Sequence, residues 1–232
     1  MRDVLCSMPA LLMLTFGTYL LGVFLQRKSG WTLLHPFLVC IPVLLVLLKV
    51  LDIPYETYSQ ANQPINFLLG PSVVALALSL YEELETIKHN ALPIFVAVIV
   101  GALVGVVSVY FSCKMLHMDG MWVRSLEAKS VTTPIAMDVT HSLGGNESLA
   151  AVSVIITGFL GSLMGPFVLR LCHITNPVAK GLAMGCSAHG LGAARAIELG
   201  AVEGAVSGLC IALMGVATAL LVPLFHIVLP IW

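Results

Sequence analysis

Long apolar runs separated by short polar stretches make up most of the chain. A helix that spans a bilayer needs about 20 mainly apolar residues. Five runs meet that length: 8–25, 32–51, 91–112, 148–171 and 204–229. Three further runs are interrupted by glycine, proline or polar residues: 58–86, 119–144 and 177–197. The pattern predicts an all-α integral membrane protein with about eight membrane segments in one bundle.

Two of the interrupted runs share a proline signature. One contains Leu69-Gly70-Pro71-Ser72, and the other contains Ser130-Val131-Thr132-Thr133-Pro134. Proline disfavours helix in the residue before it but suits the first turn of a helix, with Gly, Ser or Thr as the preceding cap. Each stretch therefore predicts a helix that stops, continues extended for a few residues and restarts at the proline.

The same two regions are followed by matching glycine patterns, Gly101-x-x-x-Gly105 and Gly161-x-x-x-Gly165. Paired interrupted segments in two halves of a chain are typical of transporter binding sites. The alternative is chance, since glycine and proline are common in membrane helices. We predict two pseudo-repeats that contain broken or re-entrant helices.

The expected organisation is a single multi-pass domain over 1–232. Two N-terminal helices occupy 1–56, the first repeat 57–117, and the second repeat with the C-terminal helices 118–232. The first apolar run ends at Gln26-Arg27-Lys28 rather than at a small-residue cleavage site, so a retained helix is expected rather than a signal peptide.

Basic residues leave two topologies open. Loops 26–31, 113–129 and 172–180 are basic and should lie together on the cytoplasmic side. They do so if 58–86 enters and leaves on one face as a re-entrant hairpin, which also makes the repeats inverted. If 58–86 instead crosses as a broken helix, the bias of basic residues is weak in this chain.

The composition and motifs of the chain argue against several classes of function. Hydrophobic residues form 59% of the chain and charged residues 10%, against about 25% charged in soluble proteins. The near balance of 11 basic and 12 acidic side chains argues against nucleic acid as a partner. The six cysteines show no metal-binding spacing, so no metal or other cofactor is expected. Nucleotide-binding and hydrolase motifs do not occur either, so an enzyme is not expected.

The restarted helices predict a site for a small organic anion. The first turn of a helix presents free N–H groups and a partial positive charge, which together favour a carboxylate or a phosphate. If the two restarts meet at mid-bilayer, they form one site. The alternative is a pair of proline kinks filled by neighbouring side chains. The candidate substrate-binding residues here are Gly70, Pro71, Ser72, Thr132, Thr133 and Pro134.

Two further groups of polar residues lie inside apolar segments, where ionisable side chains are costly and usually functional. Asp138 and His141 follow Pro134 at helical spacing and could couple transport to an ion, or could be a hydrogen-bonded pair near a helix end.

Around His189 the chain is rich in glycine, so an irregular backbone is expected there. Arg195 is a second candidate for substrate binding together with His189, and Glu198, three residues on, could pair with Arg195 as a gate. The alternative for this group is a structural ion-pair network that holds helices together.

The run Lys129–Met137, KSVTTPIAM, and the glycine-rich stretch from Gly181 to Gly204 resemble the LrgB/CidB family. Further likeness lies at Gly70–Ala77 and at Pro223. The resemblance spans essentially the whole chain. It implies a multi-pass protein of a bacterial plasma membrane or a plastid envelope, related in fold to antiporters with inverted repeats and crossed broken helices.

The resemblance also implies a choice of functions. Family members are described as antiholin-like or holin-like partners of a smaller LrgA-like membrane protein, linked to murein hydrolase control and cell lysis. They are also described as carriers of glycolate, glycerate or pyruvate. We favour an H⁺- or Na⁺-coupled carrier of such monocarboxylates that lies in the lipid bilayer and forms homo-oligomers.

The chain departs from the family pattern near its candidate sites. Cys186, Ala188 and Ala193 stand where family members tend to have hydroxyl side chains. Asp138 stands where a small neutral residue is expected. These departures predict a changed preference for substrate or ion.

Overall fold

The computed structural model describes residues 6–30, 36–68, 71, 74–75, 78 and 81–229. This part of the chain is helical, with turns and short extended linkers but no β-strand. Its first helices are α1 (Met8–Ser29), α2 (Pro36–Val50), α3 (Tyr55–Ala61), α4 (Gln63–Phe67) and α5 (Leu84–His89). The others are α6 (Ala91–Met115), α7 (Gly120–Leu126), α8 (Thr133–Ser142), α9 (Glu147–Leu171), α10 (Pro177–Leu199) and α11 (Ala201–Val228).

Four of these helices, α1, α6, α9 and α11, are long and apolar enough to cross a membrane. They correspond to four of the five uninterrupted runs in the sequence, whose helical character is thereby confirmed. The fifth run, 32–51, contains α2, whose apolar part Val39–Val50 is shorter than a full span, and residues 31–35 lie outside the described chain. The protein is therefore an all-α membrane protein.

The chain divides into two compact units, residues 1–74 and 75–232. In the first unit, α1 and α2 pack antiparallel. Gly22 lets the backbone at Pro36 approach so closely that a Cβ on the glycine would lie 2.8 Å from the proline Cα. One helical turn earlier in α1, the Thr18 hydroxyl lies 3.3 Å from the sulfur of Cys40 in α2, as expected for antiparallel helices.

The first interrupted run, 58–86, is described only in part. Pro71 is helical and exposed, while Gly70 and Ser72 lie outside the described residues. The predicted restart at Pro71, and its equivalence to the restart at Pro134, therefore stay predictions.

In the second unit, α6 and α11 form the centre of the core. Val98, Val206 and Met214 are almost fully buried in one apolar cluster. Near the ends of the two helices, the Tyr110 and Phe225 rings meet edge to face with centroids 5.3 Å apart. Small and branched side chains allow these helices to pack closely along their length.

The second interrupted run, 119–144, folds as a helical hairpin. Helix α7 ends at Leu126, Thr132 is extended (φ −68°, ψ 151°), and α8 begins at Thr133 with a proline in its first turn. The predicted restart at this proline is confirmed. Helix α8 then returns beside α7. The Thr140 hydroxyl in α8 donates to the Arg124 carbonyl oxygen in α7 at 3.3 Å, which shows that the two helices are adjacent. We call residues 120–142 the first hairpin.

The third interrupted run folds back on itself as well. Within α10, Ala188 (φ −132°, ψ 17°) and His189 (φ 40°, ψ −130°) leave the helical conformation, which confirms the irregular backbone expected near His189. A Cβ on Gly192 would overlap the Met184 carbonyl oxygen, eight residues earlier. In a straight helix these residues would be about 12 Å apart. Residues 177–199 are therefore a second hairpin, with arms 177–187 and 190–199.

Neighbouring helices fix the direction of the first arm of the second hairpin. Gly181 packs against Glu203, and Gly185 packs against Ser207, so α11 runs parallel to this arm. On the other side, Gly165 and Gly161 of α9 pack against Met184 and Ala188, so α9 runs antiparallel to it. Each arm is only about 15 Å long, which is half the thickness of the hydrocarbon core of a bilayer.

Candidate functional site

The two hairpin turns lie beside the same face of α6. A Cβ on Gly105 would lie 3.8 Å from the Ser130 hydroxyl, in the turn of the first hairpin. A Cβ on Gly101 would lie 3.6 Å from the Cβ of Cys186, just before the turn of the second hairpin. Gly101 and Gly105 are one helical turn apart, so they share a face. The Gly-x-x-x-Gly pattern thus brings two chain reversals together.

This meeting point lies at the middle of the spanning helices. Gly101 and Gly105 are residues 11 and 15 of the 25 in α6. His189, at the second turn, packs against Gly158, which is residue 12 of the 25 in α9. If α6 and α9 cross a bilayer, both turns are near its centre. Irregular backbone at that depth is tolerated only when it is buried in protein or lines a wet cavity.

The first turn presents the beginning of α8. Thr132 and Thr133 are half-buried, and Pro134 is exposed. Within the described chain the Thr132 side chain makes no capping hydrogen bond, although its carbonyl oxygen accepts from the Ala136 N–H at 2.9 Å. The first amides of α8 are therefore left without the usual side-chain partner, and two hydroxyl groups lie beside them. This arrangement is suited to an anion.

The second turn is organised around His189, which is 7% exposed. Its Nε2 lies 3.0 Å from the Val154 carbonyl oxygen. Because a carbonyl oxygen can only accept, Nε2 carries the proton and donates, so the other nitrogen of the neutral ring is an acceptor. The ring fills the space beside Gly158, where a Cβ would lie 2.5 Å from it. Because Gly158 has no side chain, the imidazole ring of His189 can pack directly against α9.

Arg195 and Glu198 form an ion pair on the second arm of this hairpin, as the spacing predicts. Both side chains are substantially exposed, at 45% and 61%. An ion pair of that exposure adds little to stability. The pair therefore does not act as a buried staple between helices.

A cavity of about 410 Å³ adjoins Arg195, and we call it the basic cavity because three of its lining residues are Arg or Lys. Arg170 comes from the last turn of α9, His173 from the loop that follows, and Lys180 from the start of α10. None of the residues that line the described cavity is acidic. Its lining consists of Pro166, Leu169, Arg170, His173, Ile174, Thr175, Lys180, Arg195 and Leu199.

Asp138 and His141 lie farther along α8 and are both exposed. The described partner of His141 is Glu147, whose Oε1 lies 2.7 Å from the histidine Nδ1, rather than Asp138. His141 is in the last turn of α8, about 13 Å along the helix from Thr132. The structure thus brings Thr132, Thr133 and the His189 turn to the middle of the spanning helices, while His141 lies at the end of α8.

One polar pair in the structure was not expected from the sequence. The Glu127 carboxylate, which is fully buried at the turn of the first hairpin, lies 2.5 Å from Nε2 of His226 in α11. Its other oxygen has no hydrogen-bond partner among the described residues. The signal for Glu127 was available, because it is an acidic residue within an interrupted membrane segment. Its partner, 99 residues later, could not be inferred from spacing.

The described residues contain no group of three or more His, Cys, Asp or Glu side chains arranged to hold a metal.

The LrgB-like family model matches residues 15–228. The chain belongs to the LrgB-like family. This finding agrees with the resemblance carried by the KSVTTPIAM run and the glycine-rich stretch.

Relatives of this LrgB-like protein cover nearly its full length. The protein YwbG of Bacillus subtilis (strain 168) is 36% identical over 212 residues, 91% of this chain and 94% of its own. Antiholin-like protein LrgB of the same organism is 31% identical over 215 residues, 92% and 93% of the two chains. Antiholin-like protein LrgB of Bacillus mycoides (strain KBAB4) is 32% identical over 208 residues, 89% and 90%. No solved structure matches the chain.

Proposed function

We propose that this LrgB-like protein is a multi-pass transporter of small organic monocarboxylates, of the glycolate, glycerate or pyruvate class, in a cell membrane. The observation that carries this proposal is the meeting of two chain reversals beside Gly101 and Gly105, at the middle of the spanning helices. Transporters place their substrate sites at such discontinuous helices near the bilayer midplane. A protein that only formed a structural scaffold in the membrane would have no need of two reversals at that depth.

The carboxylate would bind at the start of α8. Its oxygens would accept hydrogen bonds from the first amides of the helix and from the Thr132 and Thr133 hydroxyls, and the helix dipole would favour the negative charge. Gly70, Pro71 and Ser72 would supply the equivalent restart of the first repeat. This extension assumes the full arrangement of about eight membrane segments in two pseudo-repeats.

Coupling to H⁺ or Na⁺ would use polar side chains near these turns. His189 is buried and keeps one ring nitrogen as an acceptor when it is neutral, so it is suited to bind a proton. Asp138 follows Pro134 by one helical turn. Arg195 would attract the anion, and its exposed pairing with Glu198 would open and close as a gate.

Flux into proteoliposomes tests the proposal. The purified protein should give saturable uptake of a radiolabelled monocarboxylate. Thr133→Val should lower that uptake about tenfold, as expected for the loss of one hydrogen bond to a charged group. The control Thr86→Val makes the same change in α5, away from the turns, and should leave uptake unchanged.

Arg195→Ala provides a second arm of this experiment. The exposed Arg195–Glu198 pair contributes little to stability, so a loss of uptake with an unchanged unfolding temperature would indicate a role in transport. Absence of saturable uptake in the wild type, or uptake that neither variant alters, contradicts the proposal.

A second candidate function is suggested by the names of two relatives, both called antiholin-like protein LrgB. This alternative is a holin-like or antiholin-like protein that regulates murein hydrolase activity and lysis through homo-oligomers or a small LrgA-like partner. Leakage of trapped dyes of different sizes from the same proteoliposomes separates a holin-like pore from a carrier. Leakage that does not depend on dye size favours the holin-like function, while retention of dye together with monocarboxylate flux favours the carrier.

A further inference from the structure

A second, apolar cavity adjoins the basic cavity near Arg195. The second cavity has a volume of about 540 Å³ and lies between α9 and the first arm of the second hairpin. Leu169 lines both cavities. The apolar cavity extends along α9 from Leu169 back to Thr157, which is about 18 Å of helix. The basic cavity and an apolar groove of this length therefore meet at Leu169, and we treat them together as one surface.

The position of this surface along α9 matches the layers of a bilayer. Arg170 lies in the last turn of a helix that is long enough to span, so the basic end is at the boundary between hydrocarbon and water. The apolar part follows the same helix towards its middle. Its length is close to the thickness of one hydrocarbon leaflet, which is about 15 Å.

The charges at the basic end favour an anion. Lys180 lies 3.8 Å from the buried carboxylate of Glu203, and Arg195 is paired with Glu198. Arg170, in contrast, makes no ion pair within the described chain, and its Nε donates to the Pro166 carbonyl oxygen at 3.2 Å. The remaining guanidinium donors of Arg170 and the ring of His173 are thus available to a ligand.

We propose that this surface is a binding site for one anionic phospholipid, with the headgroup phosphate held by Arg170, His173 and Lys180. One acyl chain lies in the apolar groove between α9 and residues 183–187. Basic pockets between helices at the membrane boundary bind anionic headgroups in this way. Such a lipid contacts both arms of the second hairpin and so holds the hairpin against α9.

Native mass spectrometry of the purified full-length protein tests the site, with added phosphatidylglycerol or phosphatidylcholine. We expect phosphatidylglycerol, the anionic lipid, to stay bound to the protein in the mass spectrum, and phosphatidylcholine, the zwitterionic lipid, to dissociate. The double variant Arg170→Gln/His173→Gln should bind phosphatidylglycerol about five- to tenfold more weakly. Arg170→Lys should keep most of the binding. The control Arg27→Gln removes an exposed cation from the last turn of α1 and should change nothing.

Two further arms distinguish a lipid from a soluble anion. Leu160→Asn in the apolar groove should weaken binding of phosphatidylglycerol, and inorganic phosphate at millimolar concentration should not displace the lipid. Equal binding of the two lipids, unchanged binding in the Arg170→Gln/His173→Gln variant, or displacement by inorganic phosphate alone would overturn the proposal. Each of these measurements is independent of monocarboxylate flux.

Discussion

Glu127 and His226 join the turn of the first hairpin to the last spanning helix. The carboxylate oxygen and Nε2 are 2.5 Å apart, and the side chains of Glu127 and His226 are 0% and 10% exposed. This contact lies three residues before Ser130, which packs against Gly105 of α6. The turn that leads to Thr132 and Thr133 is therefore fixed from two sides, by a short polar contact with α11 and by close packing on α6.

Removing His226 should destabilise the protein. In His226→Ala the Glu127 carboxylate keeps its burial but loses its described partner, which costs about 1–3 kcal/mol. We expect the apparent Tm in detergent to fall by about 5 °C. His141→Ala is the matched control, because His141 is also paired with a glutamate but its side chain is 79% exposed. Differential scanning fluorimetry of the two variants measures the difference, and equal Tm values would show that the buried pair is unimportant.

The second hairpin depends on a glycine at position 192. Any Cβ there would overlap the Met184 carbonyl oxygen, which is backbone and cannot rotate away. Gly192→Ala should therefore separate the two arms and lower the unfolding temperature by several degrees, since forced overpacking costs about 1–3 kcal/mol.

The neighbouring Gly190 provides the control for this prediction. A Cβ on Gly190 meets nothing within 4 Å, so Gly190→Ala should leave the thermal unfolding of the protein unchanged. If Gly192→Ala is as stable as Gly190→Ala, residues 177–199 do not fold back as described.

The positions of helices and of helix starts could be predicted from the sequence, because they depend on residues that are close together in the chain. Apolar runs located the spanning helices to within a few residues, because the length of a bilayer-crossing helix is set by the membrane. Thr132 and Pro134 marked the start of α8, because a hydroxyl residue followed by proline suits a helix beginning. The glycines around His189 indicated the irregular backbone found there.

Features that depend on tertiary packing could not be predicted from the sequence. Residues 177–199 have the composition of one interrupted segment, and only the packing of Gly192 on Met184 reveals the reversal. The pairing of Glu127 with His226 joins residues far apart in the chain. The basic cavity likewise combines Arg170 with Lys180 and Arg195, which come close only because the second hairpin folds back.

The most direct test of the central claim is the labelling of Thr133→Cys with a negatively charged, membrane-impermeant thiol reagent, in a functional variant without other cysteines. The protein is reconstituted in liposomes, and Ser142→Cys at the exposed end of α8 is the control. We predict that Thr133→Cys reacts from water, that glycolate or pyruvate slows the reaction, and that Ser142→Cys reacts at a rate that neither solute changes. Lack of labelling at position 133, or labelling that no monocarboxylate slows, would contradict a carboxylate site at the start of α8.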